Sequence, residues 1–184
     1  MKIVKTEIEG LKILEPKVFK DVRGKFIKTF TNDFFKEQGL NIDIKETYYS
    51  ISNKDVIRGM HFQTPPYEHI KIVYVPYGKI IDVVLDIRKN SPTYGKYFSI
   101  ELSAENAKIL IIPKGLAHGF KSLNDNTNVT YMQTTIYAPN KDGGVKYDSF
   151  GFDWSCESPQ LSERDLSFQS IDTFQTPFFF GNEK

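Results

Sequence analysis

After Tyr48 the sequence breaks into seven short runs rich in β-branched and aromatic residues, each closed by turn residues. The runs fall at about Ile57–Gln63, Ile70–Val75, Ile80–Ile87, Tyr97–Leu102, Ala107–Ile112, Gly119–Ser122 and Val129–Tyr137. The breaks carry Pro65-Pro66, Tyr77-Gly78, Asn90-Ser91-Pro92, Ser103–Asn106, Pro113–Gly115, Asn124–Asn126 and Asp142-Gly143-Gly144. Short strands at near-regular spacing with polar turns predict an antiparallel β-barrel or jelly roll. No helix-length segment lies between them, which argues against a parallel βαβ sheet. The expected class is therefore all-β with short peripheral helices.

The flanks are consistent with one domain over residues 1–184, with an N-terminal arm to about residue 20 and a C-terminal tail from about residue 160. Strands are expected around Ile3–Ile8 and Leu11–Val18, with Gly10 between them, then a turn at Asp21-Val22-Arg23-Gly24 and an alternating strand at Lys25–Thr31. Asn32–Gln38 reads as a short helix capped by Thr31 or Asn32 and ended by Gly39. Leu161–Phe168 reads as a second helix with Ser162 as its N-cap. The closing Thr-Pro-Phe-Phe-Phe-Gly is apolar and is expected to pack on a neighbouring subunit or cover an open barrel end.

Charge and motifs remove several function classes. The 24 basic and 23 acidic residues are interspersed, so no nucleic-acid arm or membrane-surface helix is expected. The N-terminus lacks the apolar core of a signal peptide, and no run approaches the roughly 20 apolar residues of a membrane span. A cytoplasmic protein is the expectation. The single Cys156 excludes an internal disulfide and reads as an inert thiol. His61, His69 and His118 contain no H-x-H pair, so no metal is expected. Neither a G-x-S-x-G elbow nor a phosphate-binding Gly-rich loop is present, and no cofactor is expected.

What remains is a set of polar residues in strand-like, aromatic surroundings: Arg23, Arg58, His61, Lys71, His118, Tyr131 and Asp165. Strand alternation puts Gly59, His61 and Gln63 on one face and Arg58, Met60 and Phe62 on the other. Arg58 and His61 can share a pocket only if the strand bulges at Gly59 or Arg58 reaches around an edge. A histidine, a lysine and a tyrosine around one cavity suit proton transfer at a carbon beside a carbonyl. The imidazole removes the proton, the ammonium holds the enolate oxygen, and the phenol returns a proton from the other side. Each residue alone reads equally well as structural: His61 as a hydrogen-bonded core histidine, Lys71 as a strand-edge charge, Tyr131 as a core aromatic.

Several ordered segments carry a resemblance. They are I-R-G-M-H-F-Q-T-P-P, then I-I-D-V-V-L-D-I-R-K-N-S-P-T-Y-G-K, L-S-A-E-N and I-P-K-G-L-A-H-G-F, with D-V-R-G-K-F upstream and Leu161-Ser162…Asp165 downstream. Together they resemble the dTDP-4-dehydrorhamnose 3,5-epimerase family from Asp21 to about Asp165. The resemblance implies a cupin-type jelly roll, a homodimer, no metal or cofactor, and action on a nucleoside-diphosphate 4-keto sugar for surface polysaccharide synthesis. It implies His61 as base, Asp165 as the carboxylate that orients it, Tyr131 as acid and Lys71 as the group on the C4 oxygen. Arg23, Arg58 and His118 match residues that contact sugar or diphosphate. Asp142 and Arg164 replace a Glu and a Lys with charge kept.

Other positions depart from the family pattern: Lys28 for Glu and Glu46-Thr47-Tyr48 for Q-x-N, where the resemblance implies contacts to the nucleotide, His69 for Gln, Ile136 for Tyr and Ile111 for an aromatic. Lys28, Glu46, Tyr48 and His69 are accordingly expected to bind substrate. Because Glu46 could accept from a guanine edge, these departures lead to the expectation of a GDP-linked 4-keto sugar, a heptose or a 6-deoxyhexose. The family's own dTDP-sugar reaction, a 3,4-ketoisomerase and a non-catalytic sugar-binding cupin stand as alternatives.

Overall fold

The computed structural model describes residues 1–181. The last three residues of the expected C-terminal tail lie outside the described residues. The strands are β1 (Lys2–Lys5), β2 (Lys12–Glu15), β3 (Val18–Asp21), β4 (Gly24–Ile27), β5 (Glu46–Ser52), β6 (Ile57–Gln63), β7 (Lys71–Tyr77), β8 (Lys79–Asp86), β9 (Tyr97–Ser103), β10 (Ile109–Ile112), β11 (Leu116–Ser122), β12 (Thr127–Gln133) and β13 (Asp142–Gly144). Helix α1 spans Asn32–Glu37 and α2 spans Glu163–Leu166. Two antiparallel sheets form the body, ordered β1-β2-β10-β7-β12-β5 and β13-β6-β11-β8-β9, and β3 and β4 make a separate hairpin. This is the jelly-roll arrangement expected from the run of short strands.

Three apolar layers follow from strand alternation. Inward-facing Val73, Val75, Val84, Leu102, Leu110, Phe120 and Val129 pack together between the sheets. The outer face of the smaller sheet buries Ile57, Met60, Val83, Leu85 and Ala117 under Val145, Trp154 and Phe178. The outer face of the larger sheet buries Leu14, Ile72, Ile109 and Ile111 under Phe35 of α1. Strands covered on both faces need apolar residues at every position, which is why β10 reads I-L-I-I without alternation. The C-terminal apolar segment is used within its own chain: Phe178 is buried in the outer layer, and Arg88 lies over the Phe180 ring. Among the described residues no helix is long and apolar enough to cross a membrane.

Sequence expectation and structure differ at several boundaries. Glu46–Ser52 forms a strand that the sequence did not announce, because it is an edge strand with exposed Tyr49 and Ile51 outside and polar residues inside. The expected strand to Tyr137 ends at Gln133, where the chain turns toward the 3-10 turn at Pro139–Lys141. The expected strand to Thr31 ends at Ile27. The second helix is a single turn, but Ser162 does cap it, its side chain accepting the Asp165 N–H at 3.1 Å.

The bulge needed to join Arg58 and His61 is present. His118 pairs with His61 and Phe120 with Arg58, so three steps on β6 oppose two on β11. Gly59 makes this possible. Its φ is +146°, and a Cβ there would lie 2.5 Å from the Gly119 Cα.

Candidate active site

The interior between the sheets changes character along the strands. Where Lys71, Tyr131 and Gln133 follow Val73 and Val129 on the inward faces, the apolar filling gives way to a cavity of about 360 Å³. Its lining includes Arg58, His61 and Gln63 of β6, His118 of β11, Glu46 and Tyr48 of β5, His69, Asp142 and Arg164. The two sheets thus present a histidine wall and a tyrosine wall to the same space.

His61 is held from outside the sheet. Its Nε2 lies 2.9 Å from Asp165 Oδ1, and the other carboxylate oxygen accepts the Gly59 N–H at 3.0 Å. Burial alone would raise the Asp165 pKa, but the bonds from His61, the Gly59 N–H and Ser162 outweigh it and hold the carboxyl below its usual range. An ionised Asp165 accepts Nε2–H, which leaves Nδ1 as the lone-pair nitrogen of a neutral ring. Phe168 packs edge-on against the imidazole with centroids 5.8 Å apart, and Gly144 gives it room, since a Cβ there would fall 2.3 Å from the Phe168 ring.

A second pair lies deeper. His118 Nε2 is 2.8 Å from Asp82 Oδ2, and both side chains are buried. Burial is the main cause of a lowered His118 pKa, opposed by Asp82 and reinforced by the Lys71 and His61 charges. Sequence reasoning missed Asp82, which sits inside the strand-like D-V-V-L-D run. Its only sequence signal is its charge on the inward alternation of Ile80 and Val84.

Lys71 is fully enclosed, and burial drives its pKa down to about 8 against the partial support of Asp142 and Asp82. It is still largely charged at neutral pH. His69 is forced down to about 3 by burial and by the Lys71 charge, so it is a neutral ring at any physiological pH. Its Nδ1 lies 3.3 Å from both Gln63 Nε2 and the Tyr67 carbonyl oxygen. On the opposite wall burial raises the Tyr131 pKa strongly, which keeps the phenol protonated.

Arg58 is steered into place by Ser52, which accepts its Nε–H at 3.0 Å. Arg164 and Asp142 form an ion pair at 2.7 Å across the cavity rim. Glu46 lines the cavity, but its Oε2 already accepts the Tyr137 N–H at 2.5 Å and the Gln133 amide at 3.4 Å. Two of the expected contact residues are elsewhere. Arg23 stands at the tip of the β3–β4 hairpin, paired with Asp21 at 2.5 Å, and neither it nor Lys28 lines this chain's cavity. Among the described residues no group of three or more His, Cys, Asp or Glu side chains is arranged to hold a metal ion.

Removing the Lys71 charge should separate stability from function. The folded pKa of about 8 lies below the ordinary 10.5 of lysine, so the charged form penalises the fold fully below pH 8. That penalty fades between pH 8 and 10.5 as the folded protein releases its proton first. Lys71→Met is expected to raise stability at pH 7 by on the order of 2–3 kcal/mol, with the gain shrinking toward pH 10.5. Urea melts at pH 7 and 10 measure this, and a destabilised variant at pH 7 would contradict it.

Comparison with known proteins bears on the family and the fold. The family model described as dTDP-4-dehydrorhamnose 3,5-epimerase matches residues 5–173. The chain is 40% identical over 174 residues to the enzyme of that name from Shigella flexneri, covering 93% of this chain and 96% of the relative. It is 39% identical over 175 residues to the one from Methanothermobacter thermautotrophicus, covering 92% and 94%. Among solved structures it is similar to the Legionella pneumophila dTDP-6-deoxy-D-glucose-3,5-epimerase in complex with dTDP-4-keto-L-rhamnose. That match has a TM-score of 0.90 and 35% identity, and covers 95% of this chain and 94% of that one. It is also similar to a 3'-monoepimerase from Streptomyces bikiniensis in complex with dTDP-quinovose, with a TM-score of 0.87 and 28% identity, covering 91% and 87%.

Proposed function

The chain belongs to the dTDP-4-dehydrorhamnose 3,5-epimerase family, and from that premise we propose that it epimerises a dTDP-linked 4-keto-6-deoxy sugar without a cofactor, in the synthesis of a surface polysaccharide. It is a carbohydrate epimerase of the isomerase class. The observation that carries the reaction is one cavity lined by the Asp165-bound His61 of one sheet and by the protonated Tyr131 and Lys71 of the other.

The chemistry follows from those three groups. A proton on carbon next to the C4 ketone is acidified because its electron pair can move onto oxygen. His61 Nδ1 takes the proton as the C–H bond breaks, and Asp165 stabilises the imidazolium. The enolate oxygen is met by the Lys71 ammonium in a dry site, where such an interaction is worth most. The Tyr131 O–H then breaks to form the new C–H bond on the opposite face. Solvent takes the proton from His61 and returns one to the phenolate. No redox change occurs, so none of these steps calls for an oxidant or a reductant.

Two sources support dTDP over the GDP reading that the sequence suggested. The matched relatives are dTDP-sugar enzymes, and Glu46, the residue offered for a guanine edge, has its Oε2 engaged by the Tyr137 N–H and the Gln133 amide. Sugar and diphosphate have cationic company in Arg58 and Arg164 at the cavity wall. A homodimer is part of this reading. The β3–β4 hairpin exposes Phe19, Val22 and Phe26 to solvent, an arrangement that a second copy would cover, and Arg23 at its tip would then reach a cavity other than its own.

Incubating a dTDP-4-keto-6-deoxy sugar in heavy water should place deuterium at C3, and at C5 if both centres react. His61→Ala is expected to lose exchange by at least about 10³-fold, and Tyr131→Phe to slow inversion more than exchange. No exchange at either carbon in the native protein would sink the epimerase reading. Calorimetric titration should show dTDP bound more tightly than GDP, and the opposite order would restore the GDP-sugar reading. Sedimentation velocity should give a dimer that Val22→Asp weakens, and a monomer at all concentrations would remove the hairpin argument.

A further inference from the structure

Tyr48 has no part in the proton path above, yet it lies flat against the proposed acid. Its ring and that of Tyr131 stack with centroids 4.8 Å apart and planes 19° from parallel. The stack is set by the ladder: Tyr48 and Tyr131 are directly opposite in the β5–β12 register, and both side chains line the cavity. Tyr131 also makes a T-shaped contact with His118, with centroids 6.1 Å apart and planes at 73°. The acid therefore touches two aromatic rings, one of them face to face.

Tyr48 is itself tied down. Its hydroxyl donates to Gln133 Oε1 at 3.4 Å. Gln133 is buried, and its amide N–H donates to Glu46 Oε2 at 3.4 Å. The same oxygen accepts the Tyr137 backbone N–H. Gln133 and Glu46 are also opposite each other in the ladder. Tyr137 and Gln133 both donate to Glu46, and Tyr48 donates to Gln133, so the Gln133 amide turns its nitrogen to Glu46 and its oxygen to Tyr48. Burial, and then the charges of Glu46 and Asp142, push the Tyr48 phenol up to about 12, so it remains a donor through neutral pH.

We propose that Tyr48, braced by Gln133 and Glu46, is a positioning residue for Tyr131 that sets the fraction of enolate going on to inversion. The inference rests on the reading of Tyr131 as the acid. Once His61 has taken the proton, the enolate has two fates. A proton returned from the His61 face restores the starting centre, and a proton from Tyr131 inverts it. The partition depends on where the Tyr131 hydroxyl sits when the enolate forms. A displacement of about 1 Å costs on the order of 10²-fold in a proton transfer that depends on alignment. The Tyr48 stack restricts that displacement. The residues that the sequence marks as readers of the nucleotide, Glu46 and Tyr48, thereby act on the acid instead.

The test measures a ratio. Native protein, Tyr48→Phe, Tyr48→Leu and Gln133→Leu are incubated with the dTDP-4-keto-6-deoxy sugar in heavy water. Inverted product is divided by total deuterium incorporation, both by NMR. Tyr48→Leu, which removes the aromatic face, should lower the ratio roughly 10-fold or more. Tyr48→Phe keeps the stack and should stay within about threefold of native, and Gln133→Leu should fall between them. A misfolded fraction, or a role for Tyr48 only in holding substrate, lowers exchange and inversion together and leaves the ratio unchanged. An unchanged ratio in Tyr48→Leu, with native protein exchanging and inverting normally, would overturn this inference alone. Absence of exchange in the native protein would overturn the epimerase reading and this inference with it.

Discussion

The hydrogen bond between His61 and Asp165 joins a central strand to a helix 104 residues later, and much of the molecule is arranged around it. One carboxylate satisfies the imidazole and the Gly59 N–H of the β6 bulge. The bulge is what brings Arg58 and His61 to one cavity, so the same contact that orients the ring also supports the irregular backbone beside it. For Asp165 to be there, the chain after β13 must run across the outer face of the smaller sheet. Trp154, Leu161 and Phe174 make that crossing apolar and bury it on Ile57, Met60 and Leu85. Packing of the tail and aim of the base are therefore one structural event.

The cavity is expensive to keep. Apolar contacts between the sheets would be stabilised by about 1.5–3 kcal/mol for each large side chain buried. Near His61 that filling is replaced by Lys71, His118 and Gln133, all buried, and by the half-buried His69. The depressed Lys71 pKa measures how reluctantly the ammonium is held. Asp142 and Asp82 offset only part of that cost. Under the proposed function, a ligand oxygen that becomes negative would offset the rest, and stability given up at Lys71 would return as transition-state stabilisation.

Much of this was legible in the sequence, and the rest had definite reasons to be hidden. Runs of β-branched and aromatic residues closed by turn residues announce strands, which is how β6 to β12 could be read. Strand β5 could not be, because an edge strand facing a polar cavity carries no apolar period. The convergence of Arg58 and His61 was readable only as a condition, a bulge at Gly59, which the ladder meets. Glu46 shows the opposite limit. Its charge suggested a reader of a base edge, but the Tyr137 N–H that occupies it lies 91 residues away and comes near only through the β5–β12 pairing. Asp82 was lost among apolar neighbours for the same reason: its partner His118 is 36 residues away in sequence and adjacent only across a ladder.

The two histidine–carboxylate pairs carry the same groups at nearly the same distance, so their roles must be separated by surroundings. His118 has 4% of its side chain exposed and His61 has 28%. A base has to meet a substrate carbon and afterwards release its proton to solvent, and only His61 has the access for both. His118 is held by Asp82 and its pKa is lowered by burial, so its ring is neutral as a base must be, and what it lacks is access. It is better suited to form a wall: its ring makes a T-shaped contact with Tyr131, and its strand partner is His61 itself. Under the proposed function the shallow pair takes the proton while the deep pair lies against the acid's ring, so accessibility separates two pairs of the same groups.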